Sequence, residues 1–228
     1  MCAGRAAARL ASVLAVLGGA TPPVESTEAR RPVVLELAWY DPTGSAPGIG
    51  WIGRSEATHL LARMGVTARW RVGRTGDLAR PGEVVVVLLE RKRPEPEDHV
   101  LGASQLFPRA CPTAWIHLPS VQQTLGMRLA PWWALEPGER QTLGIAVGRV
   151  AVHEVVHAAA PEVPHGRALM ATTFCSRLLT GRAPRIDRDV AQAVQLAVEA
   201  RGAPDSLVAF RERRPIEALA GGPDEPAP

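Results

Sequence analysis

The chain has 228 residues, 46% hydrophobic and 21% charged, enough to bury a core without disulfide staples. Its formal charge of +3 is small for that length, and no run of Lys or Arg is interleaved with aromatics, so no nucleic-acid partner is expected. The 21 Gly and 21 Pro residues point to loops and short elements in place of a long bundle.

Arg5 and Arg9 precede an apolar run from Leu10 to Leu17, and Gly18-Gly19-Ala20 follow it. A basic start, a short apolar stretch and small residues describe a secretory signal over residues 1–20, too short to anchor the chain in a bilayer. The expected location is therefore secreted or periplasmic, with residues 21–31 as a polar linker. Loss of the signal would remove Cys2 and leave Cys111 and Cys175. In an oxidising compartment these could pair, or they could stay two separate thiols.

Val33 to Leu37 is rich in β-branched residues and predicts a strand, closed by the turn Asp41-Pro42-Thr43-Gly44. Ser55 is expected to cap a helix that runs through Met64, with Leu60, Leu61 and Met64 on one side and Gly65 at its end. Val66 to Val72 suits a strand. The unbroken apolar run Val84 to Leu89 predicts a central strand buried on both faces. Arg91-Lys92-Arg93 is followed at once by Glu95, Glu97 and Asp98 and reads as a solvated loop. Ala114 to Leu118 is a further short strand, stopped by Pro119.

The second half turns helical. Pro137 fits a first helical turn, and Glu136 and Glu139 suit its positive end. The helix should run to Ala160, where Pro161 stops it. Gly144 and Gly148 lie on one face and would admit another backbone. A last helix is expected from Asp187 as N-cap through Ala200, with Val190, Val194, Ala197 and Val198 as its buried stripe. Residues 219–228 are Gly, Pro and acid and predict a disordered tail.

His153-Glu154-Val155-Val156-His157 lies inside the long helix. One turn places both imidazoles on the same face, close enough to hold one ion. Neutral imidazole is a good zinc ligand, and catalytic zinc takes three protein ligands with one place left open. Glu154, beside the first His, would reach a coordinated water in place of the metal and act as general base. A third ligand follows either from His165, past the break at Pro161 and flanked by Pro164 and Gly166, or from an acid of the later helix: Asp187, Asp189 or Glu199. His165 needs the least rearrangement of the chain. His59, His99 and His117 have no partners at ligand spacing and read as structural. Trp132-Trp133, just before the long helix, could line a specificity pocket or pack structurally.

His153, Glu154, His157, then a turn, His165 and Met170 resemble the metzincin group of zinc endopeptidases, whose pattern is H-E-x-x-H-x-x-G-x-x-H with a methionine in a later turn. The order of strands and one helix before the active-site helix is also similar. The resemblance implies one Zn2+ ion, Glu154 as general base, and a Met-turn at Met170. It implies a peptide or protein substrate lying along an edge strand, for which Trp115, Ile116 and His117 are the candidate rim. Departures are visible. Seven residues separate His157 from His165, Ala160 stands where the pattern has Gly, and the single Tyr of the chain, Tyr40, precedes the motif.

The expected fold is α+β (zincin-like), over residues 32–218. It has a small mixed sheet with a backing helix, the helix carrying HExxH, and a mostly helical C-terminal subdomain. The expected function is that of a secreted, monomeric zinc endopeptidase without a stable membrane span. The alternatives are a zinc-binding exported domain without turnover, in which the ion is a structural staple, and a carbohydrate- or protein-binding domain with an accidental motif.

Overall fold

The computed structural model describes residues 32–44, 46–74, 76–90, 100–106 and 111–201. The signal, the linker, the basic loop at 91–93, His99 and the C-terminal tail lie outside the described residues. No helix among the described residues is long and apolar enough to cross a membrane.

Strand β1, Val33–Tyr40, leads into helix α1, Pro47–Arg63, and returns as strand β2, Val66–Gly73. Strand β3, Val84–Leu89, strand β4, Gly102–Gln105, and strand β5, Thr113–His117, complete a five-stranded sheet in the order β2-β1-β3-β5-β4. β2, β1, β3 and β5 run parallel, and β4 pairs antiparallel with β5 at the end of the sheet. Helix α2, Leu118–Thr124, follows β5 directly. Helix α3, Pro137–Ala159, carries the histidines, and two shorter helices close the described chain: α4, Ser176–Thr180, and α5, Arg188–Arg201. The fold is thus the α+β, mixed-sheet arrangement expected, with few strands and mostly helix or loop after α3.

β3 lies between β1 and β5 and is covered on both sides. Val84, Val86 and Leu88 join the large core under α1 and α3, while Val85 and Val87 pack with Ala38, Tyr40 and Cys111 on the opposite face. Parallel strands buried on both faces read as continuous apolar runs for this reason. α3 is buried along most of its length from Leu143 onward, so the histidine-bearing turn is held by the core and not by a loop.

α1 begins at Pro47, two turns earlier than the Ser55 cap expected from sequence. The Asp41 turn leads straight into it: the Asp41 carboxylate accepts a hydrogen bond from the Ala46 amide at 2.9 Å, and Pro47 sets the first helical φ. Gly48, Gly50 and Gly53 weaken helix propensity but sit against neighbours. A Cβ at Gly50 would lie 3.0 Å from Trp39 Nε1, and one at Gly48 would lie 3.1 Å from Trp132. The α1–α3 crossing is closer still, since a Cβ at Gly148 would lie 2.5 Å from the Gly53 carbonyl and one at Gly144 would lie 2.6 Å from Ile52. The close backbone approach expected at those two glycines is therefore present. Pro119, expected to stop a strand, also starts α2, for which Pro in the first turn is favourable.

Arg149 joins three elements. Its guanidinium donates to Glu56 of α1 at 3.0 Å, to the Leu178 carbonyl at 2.7 Å and to the Gly181 carbonyl at 2.9 Å. α5 docks through Val194 and Val198, with Val190 and Ala197 partly covered, as its apolar stripe predicts. Cys111 is buried and Cys175 is exposed, and no disulfide joins them.

Candidate metal centre

The last two turns of α3 carry His153 and His157 on one face, and the chain then leaves the helix at Ala160, whose amide still donates to the Val156 carbonyl. Arg201 of α5 donates to the Ala158 and Ala159 carbonyls, satisfying acceptors that the helix end leaves open. A turn through Pro161 and Val163 brings His165 back over the helix. One nitrogen from each of His153, His157 and His165 lies within 4.8 Å of the others. The nitrogens of His157 and His165 are 3.2 Å apart. Two imidazoles bound at about 2.0–2.1 Å to one tetrahedral ion stand at roughly 3.3 Å from each other, so the donor set fits zinc.

A second layer fixes the first imidazole. His153 Nδ1 is 2.8 Å from the Leu169 carbonyl, so Nδ1–H donates there and Nε2 is left as the lone-pair nitrogen facing the cluster. Leu169 belongs to a 3-10 turn, Ala168–Met170, in which Ala168 has a φ of 53°. The Gly166 amide donates to the Met170 carbonyl at 2.7 Å, which folds the segment after His165 into a closed turn. Met170 itself is buried in the main core. Phe174, which sequence reasoning missed, sets its ring edge-on to His153 with centroids 5.1 Å apart.

Burial, followed by the facing imidazoles of His157 and His165, holds His153 down at about 4 against the opposing Leu169 hydrogen bond. Burial and the His165 imidazole also lower His157. The two α3 imidazoles are therefore neutral at neutral pH, the state a metal requires. Glu154 is 7% exposed, and burial pushes its carboxyl up to about 8. Its Oε1 lies 3.9 Å from His153 Nε2. Among the described residues no side chain or backbone group hydrogen-bonds this carboxylate, so a buried acid borders the ligand cluster with its oxygens unengaged.

The other candidates fall elsewhere. Asp187, Asp189 and Glu199 are not members of the cluster. His59 is exposed on α1, and His117 is buried at the end of β5. Trp132 packs on α1 beneath the Arg140 guanidinium, whereas Trp133 is exposed. The expected substrate rim requires correction. Trp115, Ile116 and His117 lie on β5, which is hydrogen-bonded to β3 on one side and β4 on the other. A strand paired on both sides has no free amides or carbonyls for a peptide. Among the described residues the edge strand on the side of α3 is β4, and its residue Gly102 approaches Glu154 directly.

No protein-family model matches the chain, and no curated protein matches it. Among solved structures it is similar to archaemetzincin from Methanopyrus kandleri, with a TM-score of 0.50 and 14% identity, over 75% of this chain and 99% of that one. At that identity the likeness shows a shared fold.

Proposed function

We propose that the chain is a zinc-dependent peptidase of metzincin-like type, with His153, His157 and His165 as ligands of one Zn2+ and Glu154 as general base. The observation that carries this reading is the three-imidazole cluster with a buried, unengaged carboxylate against its first member. A structural zinc site has no use for such an acid, because its coordination is closed. The fold shared with archaemetzincin, named for the metzincin group, supports the same reading.

When bound, zinc supplies Lewis-acid chemistry that activates water and polarises a carbonyl. The chain's own residues do the rest. Glu154 accepts a proton at a carboxylate oxygen from the attacking water and returns it to the leaving amine. Its buried position keeps both protonation states within reach near neutral pH. The Leu169 carbonyl holds His153 in the ligating tautomer, and the turn at 166–171 holds His165 over α3. β4 offers an extended edge, Gly102 to Gln105, along which a substrate peptide pairs by β-augmentation. Export through residues 1–20 and action as a monomer belong to the same proposal.

The test is zinc stoichiometry and peptide hydrolysis on the same preparations. Wild type binds one zinc per chain and cleaves peptides, His157→Ala and His165→Ala lose the metal, and Glu154→Gln keeps it and loses turnover. Zinc bound by wild type with no hydrolysis of any peptide in a diverse mixture would favour a zinc-binding domain without turnover. Wild type without zinc would end the proposal.

A further inference from the structure

Gly102 is the first residue of the edge strand and pairs with β5 opposite Ile116, whose side chain is fully buried on the α3 side. Residues opposite each other in an antiparallel pair share a face, so position 102 also faces α3. A Cβ built there would lie 2.7 Å from Cγ of Glu154, 2.7 Å from the Trp115 backbone oxygen and 3.0 Å from Oε1 of Glu154. The φ of Gly102 is not positive. Backbone conformation therefore makes no demand for glycine at this position, and close approach is the demand that remains.

We infer that Gly102 is a positioning residue for Glu154: the edge strand omits a side chain at the one place where it passes over the catalytic carboxylate. The inference rests on the peptidase reading and adds a determinant outside the HExxH motif. β4 is fixed by its pairing, and the His117 amide also donates to the Leu101 carbonyl at 2.8 Å beside it. The strand cannot lift away without breaking those bonds. Glu154 is fixed at its Cα by the buried helix. Between these two rigid elements lies the glutamate side chain, close to the Gly102 backbone and with its Oε1 3.9 Å from His153 Nε2. A methyl group at 102 overlaps the space that Cγ holds and displaces the carboxylate from its place beside the histidines.

The experiment is a double-mutant cycle on the metal-free full chain, comparing wild type, Gly102→Ala, Glu154→Ala and the double variant by thermal unfolding. Gly102→Ala lowers Tm, and most of that loss disappears once Glu154 is truncated, because the methyl then occupies vacated space. Should Gly102→Ala alone fail to fold, recovery of a folded double variant reports the same coupling. An equal loss of Tm in both backgrounds, or no folded protein in either, places the whole conflict on the Trp115 carbonyl and overturns the inference. In zinc-loaded Gly102→Ala, kcat falls about a hundredfold, the scale of an ångström-sized misplacement, with KM near wild type. An unchanged kcat likewise overturns it. Absence of zinc binding or hydrolysis in wild type would count against the peptidase reading alone, since the metal-free cycle is still read.

Discussion

At the scale of single residues, the backbone at Ala168 is held in the left-handed region. A side chain bearing a Cβ costs roughly 1–2 kcal/mol there. The turn keeps this conformation because it aims the Leu169 carbonyl at His153 Nδ1. Ala168→Gly removes the steric cost at the expense of unfolded-chain entropy, so stability should change little and zinc binding should persist. Ala168→Val adds a β-branch at positive φ. It should destabilise by about 1–3 kcal/mol and weaken zinc by roughly 10–100-fold through loss of the carbonyl that orients His153. Urea unfolding and competitive zinc titration check the pair. Equal zinc affinity for the Val variant would show that the Leu169 contact does not govern the ligand. The ligand set makes its own prediction at this scale: His165→Ala should weaken zinc far more than Asp187→Ala, and the reverse order would move the third ligand to the region of α5.

At the scale of elements, the histidine-bearing helix is clamped by Arg149, one turn before His153. Arg149 is 4% exposed, and its guanidinium reaches a carboxylate on α1 and two carbonyls around α4. Truncating it strands Glu56 and both carbonyls, so Arg149→Met should cost about 3–5 kcal/mol. Arg149→Lys should recover little of this, because one ammonium cannot serve three acceptors spread around a planar fork. Full rescue by Lys in chemical denaturation would reduce the clamp to a simple ion pair. Elements also differ in how plainly they show in sequence. α3 carries its own signals: Glu136 and Glu139 at the start, where the Glu136 amide donates to the Glu139 carboxylate at 2.8 Å, and Pro161 beyond the end. The first two turns of α1 carry only Pro47, and Gly48, Gly50 and Gly53 read as loop until Trp39, Trp132 and α3 are in place against them. β4 is hidden for a similar reason. Gly-Ala-Ser-Gln has low β propensity and becomes a strand because β5 offers it an unpaired side. Misplacing the sheet edge on β5 followed from missing β4.

At the scale of the whole molecule, the same contrast divides the site. The histidines and Glu154 are legible because helical spacing alone brings His153, Glu154 and His157 together. The Leu169 carbonyl, Phe174 and Gly102 are not, because each acts through a contact that only the assembled fold creates. Zinc bridges these two levels, since it would tie the core helix to a turn that ends in an exposed His165. Among the described residues the segment 161–171 is otherwise held by short-range backbone bonds, Val163 to Ala160, Gly166 to Met170, Met170 to Arg167 and Ala171 to Ala168, and by His153 to Leu169. Metal removal should therefore lower stability without abolishing the fold, because the core of α1, α3 and the sheet is independent of the ligands. Zinc at about 100 times its Kd stabilises by about 2.7 kcal/mol, and each kcal/mol moves Tm by roughly 2–4 °C in a domain of this size. Chelation should then lower Tm by about 5–10 °C, leave far-UV circular dichroism nearly unchanged and raise hydrogen exchange at 161–171 before α3. Loss of helical signal on chelation would mean that the ion builds the fold, which is the behaviour of a structural zinc domain and not of the peptidase proposed here.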